Sequence, residues 1–342
     1  MVKDAVPLGG LARALIVKLG HHGDVLLATP VLGALKAHAP QLELDALVYE
    51  ESESMLTGNP ALSRVFTAGG GWRDEIRLFK DLRARRYDLV VHLSEHSRGA
   101  WLGRGLGARY SVAPARADGR SFWRKSFTHL YPLVRGGRRH RVELNLDALR
   151  RIGLQPEPEL RKVLFVPGAA AEQRVSTLAE PPFVHVHPAS RWRFKCWPAA
   201  RNAELIERLA AEGNRIVITG APDEITFIGE IIHKLALAKP INLAGQLSIK
   251  ELGALTARAR LFIGVDSMPM HLAAAMGTPT LALFGPSGEN EWGPWNVERR
   301  IVTTTHTCRP CGFDGCGGGK VSECLTLLPV DAVHAAAREL LN

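Results

Sequence analysis

The stretch Gly264-Val-Asp-Ser-Met-Pro-Met-His271-Leu-Ala-Ala-Ala-Met-Gly277-Thr-Pro-Thr-Leu-Ala-Leu-Phe-Gly-Pro286 decides the fold class. It reads as a buried strand over 260–265, a polar turn at Asp266 and Ser267, and a short helix of small residues over 270–276. A stop at Gly277 and a second buried strand over 280–284 follow. Such a β-turn-α-β unit places an acid, a hydroxyl and free backbone N–H groups at a helix N-terminus, where the partial positive charge favours phosphate. The same residues also suit a plain crossover with Asp266 as N-cap.

Working outward, the second half repeats this alternation. Strands are expected over 183–187, 215–219 and 241–243, with helices over 198–212, 224–237 and 249–259, and a last helix over 329–341. The first half opens on a strand over 14–17, a glycine-containing turn, and a helical pattern over 25–37. Strands over 42–49, 88–93 and 108–112 and helices over 74–86 and 143–152 continue it. Gln155 to Pro182 is rich in Pro, Ala and Glu around a short expected strand at 162–166. The expected organisation is therefore α/β, with a Rossmann-like domain over 1–166, a linker over 167–182, and a second Rossmann-like domain over 183–342. In doubly wound sheets ligands bind outside the C-terminal strand ends, here in an expected cleft between the domains. The Gly-x-Gly-x-x-Gly dinucleotide fingerprint and the Gly-Lys-Ser/Thr phosphate loop are absent.

With 342 residues, 46% apolar and 23% charged, the chain has the composition of a globular protein with an ample core. No apolar run reaches the ~18 residues of a membrane span. The apolar run Ala14 to Val17 ends at Lys18 with no cleavage site after it, so a secretory signal is not expected and the location read is cytoplasmic. The net charge of +9 is lopsided: residues 1–180 hold 27 Lys+Arg against 19 Asp+Glu, whereas 181–342 hold 16 against 15. Between Arg98 and Arg141 eleven basic residues face one acid, Asp118. Such a field attracts phosphate-rich partners: nucleic acid, an anionic membrane surface or a phosphorylated substrate.

Four constellations lie at expected strand ends. Gly23-Asp24 offers a helix N-cap, or a carboxylate able to take a proton from a hydroxyl. His187-Pro-Ala-Ser190-Arg-Trp-Arg-Phe-Lys195-Cys-Trp-Pro198 gathers a hydroxyl and three cations before a helix start, which suits a pyrophosphate. Thr219-Gly-Ala-Pro-Asp-Glu224 supplies carboxylates for ribose hydroxyls or for the macrodipole. The Gly264 to His271 stretch is the fourth. Their convergence points to an activated phosphate ester, with a nucleotide-sugar the natural fit.

Gly-Asp after the first strand, the His-Pro-x-Ser-x-Arg-x-x-Lys-x-Trp stretch and Gly-Val-Asp-Ser-x-x-x-His-x-Ala-Ala-Ala-x-Gly-x-Pro resemble the ADP-heptose:lipopolysaccharide heptosyltransferases. These form glycosyltransferase family 9, of GT-B fold, and the resemblance covers nearly the whole chain. Ser190 to Trp197 and Cys308 to Lys320 look most like the heptosyltransferase III branch, which adds a side-branch heptose to the inner core. The resemblance implies inverting transfer of heptose from ADP-heptose to the lipopolysaccharide core. Asp24 would be the general base, and Ser190 and Lys195 would hold the ADP phosphates and stabilise the leaving group. Glu224 would hold the ribose and Leu247 line the adenine pocket. Asp266 would hold heptose hydroxyls, with the Ser267 and Met268 N–H groups on phosphate and His271 and Gly23 in support. His21-His22 stands where many members carry Ser or Met, which leaves a histidine share in acid–base chemistry open. The basic region, with Arg120, Arg124 and Lys125, would face the acceptor and the anionic cytoplasmic leaflet of the inner membrane. Alternatives are a related enzyme with another nucleotide-sugar donor, or a non-catalytic protein binding anionic ligands. Nucleic acid is not the expected partner, for no recognisable nucleic-acid module is present.

No Asp-x-Asp occurs in the chain, so neither a catalytic metal nor another cofactor is expected, ADP-heptose being substrate. Cys308, Cys311, Cys316 and Cys324 are spaced C-x₂-C-x₄-C-x₇-C, which is not a standard finger. They leave two readings, a structural Zn²⁺ or reduced thiols that order a Gly-rich loop.

Overall fold

A computed structural model describes residues 4–96, 98–116, 121–134 and 139–342. The chain divides into two units, Met1–Val166 and Pro167–Asn342, each built on one six-stranded parallel sheet. The first unit contains β1 (Arg13–Val17), β2 (Glu43–Tyr49), β3 (Arg64–Ala68), β4 (Leu89–His92), β5 (Tyr110–Ala115) and β6 (His129–Pro132). Their order is β3-β2-β1-β4-β5-β6. The second contains β7 (Val184–His187), β8 (Ile216–Ile218), β9 (Ile241–Asn242), β10 (Leu261–Val265), β11 (Thr280–Leu283) and β12 (Arg299–Val302), ordered β12-β11-β10-β7-β8-β9. Counted within its own half, each sheet has the same strand order. The expected α/β class with two doubly wound units is what the structure has.

In both units the chain leaves the first strand towards one sheet edge and returns on its other side. The crevice outside the C-terminal ends of β1 and β4, and that outside β7 and β10, are the switch points at which such sheets bind ligands. The central strands are buried from both faces, which is why Leu261-Phe-Ile-Gly-Val265 and Ala14-Leu-Ile-Val17 are unbroken apolar runs. Helices Ala199–Ala211, Ile225–His233 and Val330–Leu341 close one face of the second sheet around Trp197, Ile206 and Val333. Helix Ala169–Ser176 packs with Ile249–Ala257 around Val175 and Leu255 on a separate core.

Several expected elements differ. Residues 167–182, read as linker, hold that Ala169–Ser176 helix, whose Val175 is fully buried within the second unit. Residues 162–166 belong to neither sheet, and the Leu164 N–H is donated to Thr29 Oγ1 instead of a strand. The pattern over 25–37 breaks into helices His22–Leu26 and Thr29–His38, with Pro30 opening the second. The edge strands β3, β6 and β12 had no counterpart in the sequence reading.

Candidate donor-binding site

Strand register assembles the site in the second unit. Gly264 of β10 pairs with His187 of β7, and the Thr219 N–H is donated to the Val186 carbonyl beyond the last residue of β8. The segments that follow these three strands therefore emerge side by side. Gly264 is needed there: a Cβ would stand 2.7 Å from the Phe262 ring and 3.0 Å from the His187 carbonyl oxygen.

From β7 the chain runs through Ser190 and a turn at Arg193–Lys195 into helix Ala199–Ala211. The turn is held from below by buried Trp197, whose indole N–H donates to the Leu328 carbonyl at 3.0 Å. Ser190 is buried, and its Oγ accepts the Trp192 N–H at 3.3 Å. Lys195 reaches across to the segment after β10, where its Nζ lies 2.6 Å from Asp266 Oδ2. Ser267, rather than Asp266, is the N-cap of helix Met268–Ala275, with Pro269 in its first turn. Asp266 is thus free of capping duty, its buried carboxylate is turned to the lysine, and the expectation of Asp266 as N-cap is corrected. The Met268 N–H stands at the first position of that helix. His271 is buried in the same helix, its ring 6.3 Å from that of Trp292.

Beyond β8, Glu224 has two partners on one oxygen. Its Oε2 accepts the Ala221 N–H at 2.7 Å, closing a turn, and lies 3.3 Å from His187 Nε2. Burial pushes the Glu224 carboxyl up, but His187 and the Ala221 N–H outweigh it, and the group settles below the usual carboxylate value. Behind His187 runs a buried chain of polar groups that the sequence reading missed. His187 Nδ1 is 2.8 Å from Thr219 Oγ1, which is 2.7 Å from His185 Nε2, and His185 Nδ1 is 3.1 Å from Thr256 Oγ1. The only signal in sequence was two histidines alternating on one strand face.

Leu247 is half-buried against the core that includes Leu243 and Ala254. The Gly245 N–H, donated to the Gly220 carbonyl at 2.8 Å, joins its loop to the one bearing Glu224. Gly245 has φ +71°, and a Cβ would stand 2.6 Å from Ile225 Cδ1, so the junction requires glycine. Ser190, Lys195, Glu224, Leu247, Asp266, Ser267, Met268 and His271 thus all lie on segments that leave the C-terminal edge of one sheet.

Asp24 and Gly23 belong to the first unit, in helix His22–Leu26 after β1. The N-cap is His21, so Asp24 sits inside the first turn and the N-cap alternative for it is corrected. Gly20 lets the carboxylate fold back towards the strand end, since a Cβ there would stand 3.0 Å from Asp24 Cβ. Buried Lys18, a second residue the sequence reading passed over, donates to the Leu93 carbonyl at 3.1 Å and lies 3.7 Å from Asp24 Oδ1. Burial pulls the Lys18 ammonium below its ordinary value, and Asp24 offsets part of that. Exposed His21 pairs with Glu51 at 3.3 Å.

Arg124 and Lys125 are exposed, and Arg120 lies outside the described residues, as do Asp118, Arg135 and Arg138. The five cysteines are free thiols. Among the described residues no group of three or more His, Cys, Asp and Glu side chains is arranged to hold a metal ion. Cys324 is buried, burial raises its thiol, and Cys316 Sγ accepts the Glu323 N–H at 3.4 Å.

Residues 75–321 match the family model described as glycosyltransferase family 9 (heptosyltransferase). The chain is 36% identical to lipopolysaccharide heptosyltransferase 3 of Escherichia coli over 288 residues, 80% of this chain and 84% of that one. Among solved structures, a family 9 glycosyltransferase from Veillonella parvula superposes with a TM-score of 0.83 at 22% identity, covering 99% of both chains. The E. coli heptosyltransferase WaaC with ADP gives 0.73 at 21% identity, covering 96% of this chain and 99% of that one.

Proposed function

Since this chain belongs to glycosyltransferase family 9, the heptosyltransferases, we propose that it transfers heptose from ADP-heptose to the inner core of lipopolysaccharide, with inversion, as a heptosyltransferase III does. The observation that carries the reading is the gathering of Ser190, Lys195, Asp266 and Glu224 at the β7/β10 switch point. Residues 167–342 are then the donor-binding unit and residues 1–166 the acceptor-binding unit.

The chemistry follows from charge. As the glycosidic carbon–oxygen bond to ADP breaks, negative charge grows on the departing phosphate oxygen, and fixed cations and dipoles stabilise it most in a dry site. Lys195, the Ser190 hydroxyl and the Ser267 and Met268 N–H groups are the groups we assign to the diphosphate. Asp266 takes heptose hydroxyls, Glu224 the ribose, and Leu247 packs against adenine, with His271 supporting the Met268–Ala275 helix. Asp24 takes the acceptor hydroxyl's proton as that oxygen attacks the anomeric carbon. Mixing the protein with ADP-heptose and truncated core acceptors, and reading product mass, tests the assignment: a gain of one heptose is expected, and no gain with any core acceptor overturns it.

The acceptor is lipid-anchored, and we assign the enzyme to the cytoplasmic face of the inner membrane. No described helix is long and apolar enough to cross a bilayer. The first unit instead presents an open cavity of about 480 Å³ lined by Leu78, Phe79, Trp101 and Phe122, with Arg98 and Arg104 on it. Trp101 is 67% exposed, its ring 5.0 Å from that of Phe122, and Arg104 stacks over Phe122 at 4.9 Å. Aromatic rings beside arginines suit the interface of an anionic leaflet.

A further inference from the structure

The polar chain behind Glu224 can be followed proton by proton. Thr256 Oγ1 lies 2.6 Å from the Leu252 carbonyl, which only accepts, so the Thr256 hydroxyl proton is committed there. Thr256 Oγ1 must then accept from His185 Nδ1–H. His185 is fully buried and held neutral by desolvation, with His187 adding to the effect, so its Nε2 has no proton and accepts from the Thr219 hydroxyl. Thr219 has spent its only proton, and its oxygen accepts from His187 Nδ1–H. A neutral His187 would now turn a bare Nε2 lone pair towards Glu224 Oε2 at 3.3 Å, which is acceptor against acceptor. That contact needs one more proton. It does not sit on Glu224, because the carboxyl, with the Ala221 N–H on Oε2 and His187 beside it, is held below the usual carboxylate value.

We propose that His187 is a positioning residue carried as an imidazolium: the hydrogen-bonded chain Thr256, His185, Thr219 leaves its Nε2 only the donor's part, and that donor fixes the Glu224 carboxylate for a ribose hydroxyl. The proposal rests on Glu224 being the ribose ligand. The arrangement places opposite charges in contact inside a buried site. It ties down one carboxylate oxygen with two donors, and the other oxygen has no hydrogen-bond partner among the described residues. Thr219 is the hinge of the chain, since it must donate on one side and accept on the other. Serine can do this and valine cannot.

Nitrogen-15 NMR of the full chain labelled at histidine, with His185→Gln and His187→Gln for assignment, reads the charges directly. Expected are a neutral Nδ1–H ring for His185 and a ring protonated on both nitrogens for His187 at neutral pH; a neutral His187 overturns the proposal. Calorimetry with ADP and 2′,3′-dideoxy-ADP reads the consequence. Thr219→Val should weaken ADP by about tenfold and leave the dideoxy nucleotide unchanged, while Thr219→Ser keeps wild-type affinity for both. Equal weakening of the two nucleotides by Thr219→Val, or no weakening of either, overturns the positioning role. A wild-type protein that binds no ADP defeats the nucleotide reading itself, and the imidazolium signal still decides the charge of His187.

Discussion

Lys195 Nζ and Asp266 Oδ2 lie 2.6 Å apart although the two residues are 71 positions apart in the chain. The aspartate is 7% exposed at its side chain and the lysine 23%, so water screens this pair less than one on the surface. On the proposed assignment, this carboxylate-held ammonium is the group that a diphosphate would claim.

Lys195→Ala is therefore expected to lower kcat/KM by about 10²- to 10³-fold, the usual loss when one fixed group facing the developing charge is removed. The Lys195→Ala/Asp266→Ala double variant should lose less than the product of the two single losses, because each partner's removal already disturbs the other. Steady-state kinetics of the three variants checks both statements.

Asp24→Asn should lower turnover by about 10²- to 10⁴-fold while ADP affinity stays within a factor of two. Rates near wild type would remove Asp24 from its role as base. Calorimetry with ADP and a product assay on the same preparation separate the two effects.

The buried Lys18 carries a pH dependence of stability. Its folded-state pKa is depressed below the ordinary lysine value by burial, so above that depressed pKa the unfolded chain holds more protons than the folded one. Stability then rises with pH from the depressed pKa up to the ordinary value of about 10.4 and is level outside that window. Urea unfolding of wild type and Lys18→Met across pH 7 to 11 should show the wild type gaining on the variant as pH increases.

Chelation should leave activity intact, since the assigned charge-stabilising groups are Lys195, Ser190 and helix-terminal N–H groups. Complete loss in EDTA, restored by a divalent ion, would overturn that assignment.

Trp101→Ala combined with Phe122→Ala should abolish flotation with anionic vesicles at moderate salt and leave ADP affinity unchanged. Wild-type binding is expected to fall as salt rises, because its electrostatic share is screened over about 8–10 Å. Equal flotation of variant and wild type would remove this surface from membrane contact.

The central architecture was legible because the central strands are buried on both faces, and β1 and β10 leave unbroken apolar runs next to glycine-containing turns. Of the edge strands, only β9 was read, and β3, β6 and β12 were not. Arg64-Val-Phe-Thr-Ala68 and Arg299-Arg-Ile-Val302 are partly exposed and mix charges with apolar residues, and His129-Leu-Tyr-Pro132 ends on a proline. In the candidate site, Ser190, Lys195, Glu224 and Asp266 could be picked out as candidates because each stands in a segment that follows a strand. The Thr256–His185–Thr219–His187 chain could not, since it exists only once strand register lays β7 beside β8 and a helix brings Thr256 over them. Lys18 was hidden for a similar reason, because a lysine ending an apolar run looks like the edge of the core until its ammonium is found inside it.

The two sheets share one strand order, and in each the loop after the first strand occupies the slot at the switch point. In the first half of the chain that slot holds a carboxylate, Asp24. In the second it holds Ser190 and Lys195. On the proposed assignment, one backbone plan, used twice, removes a proton in one half and receives a negative charge in the other. Under that assignment, substitutions in the first loop would retune acceptor choice without disturbing the residues assigned to the donor in the second.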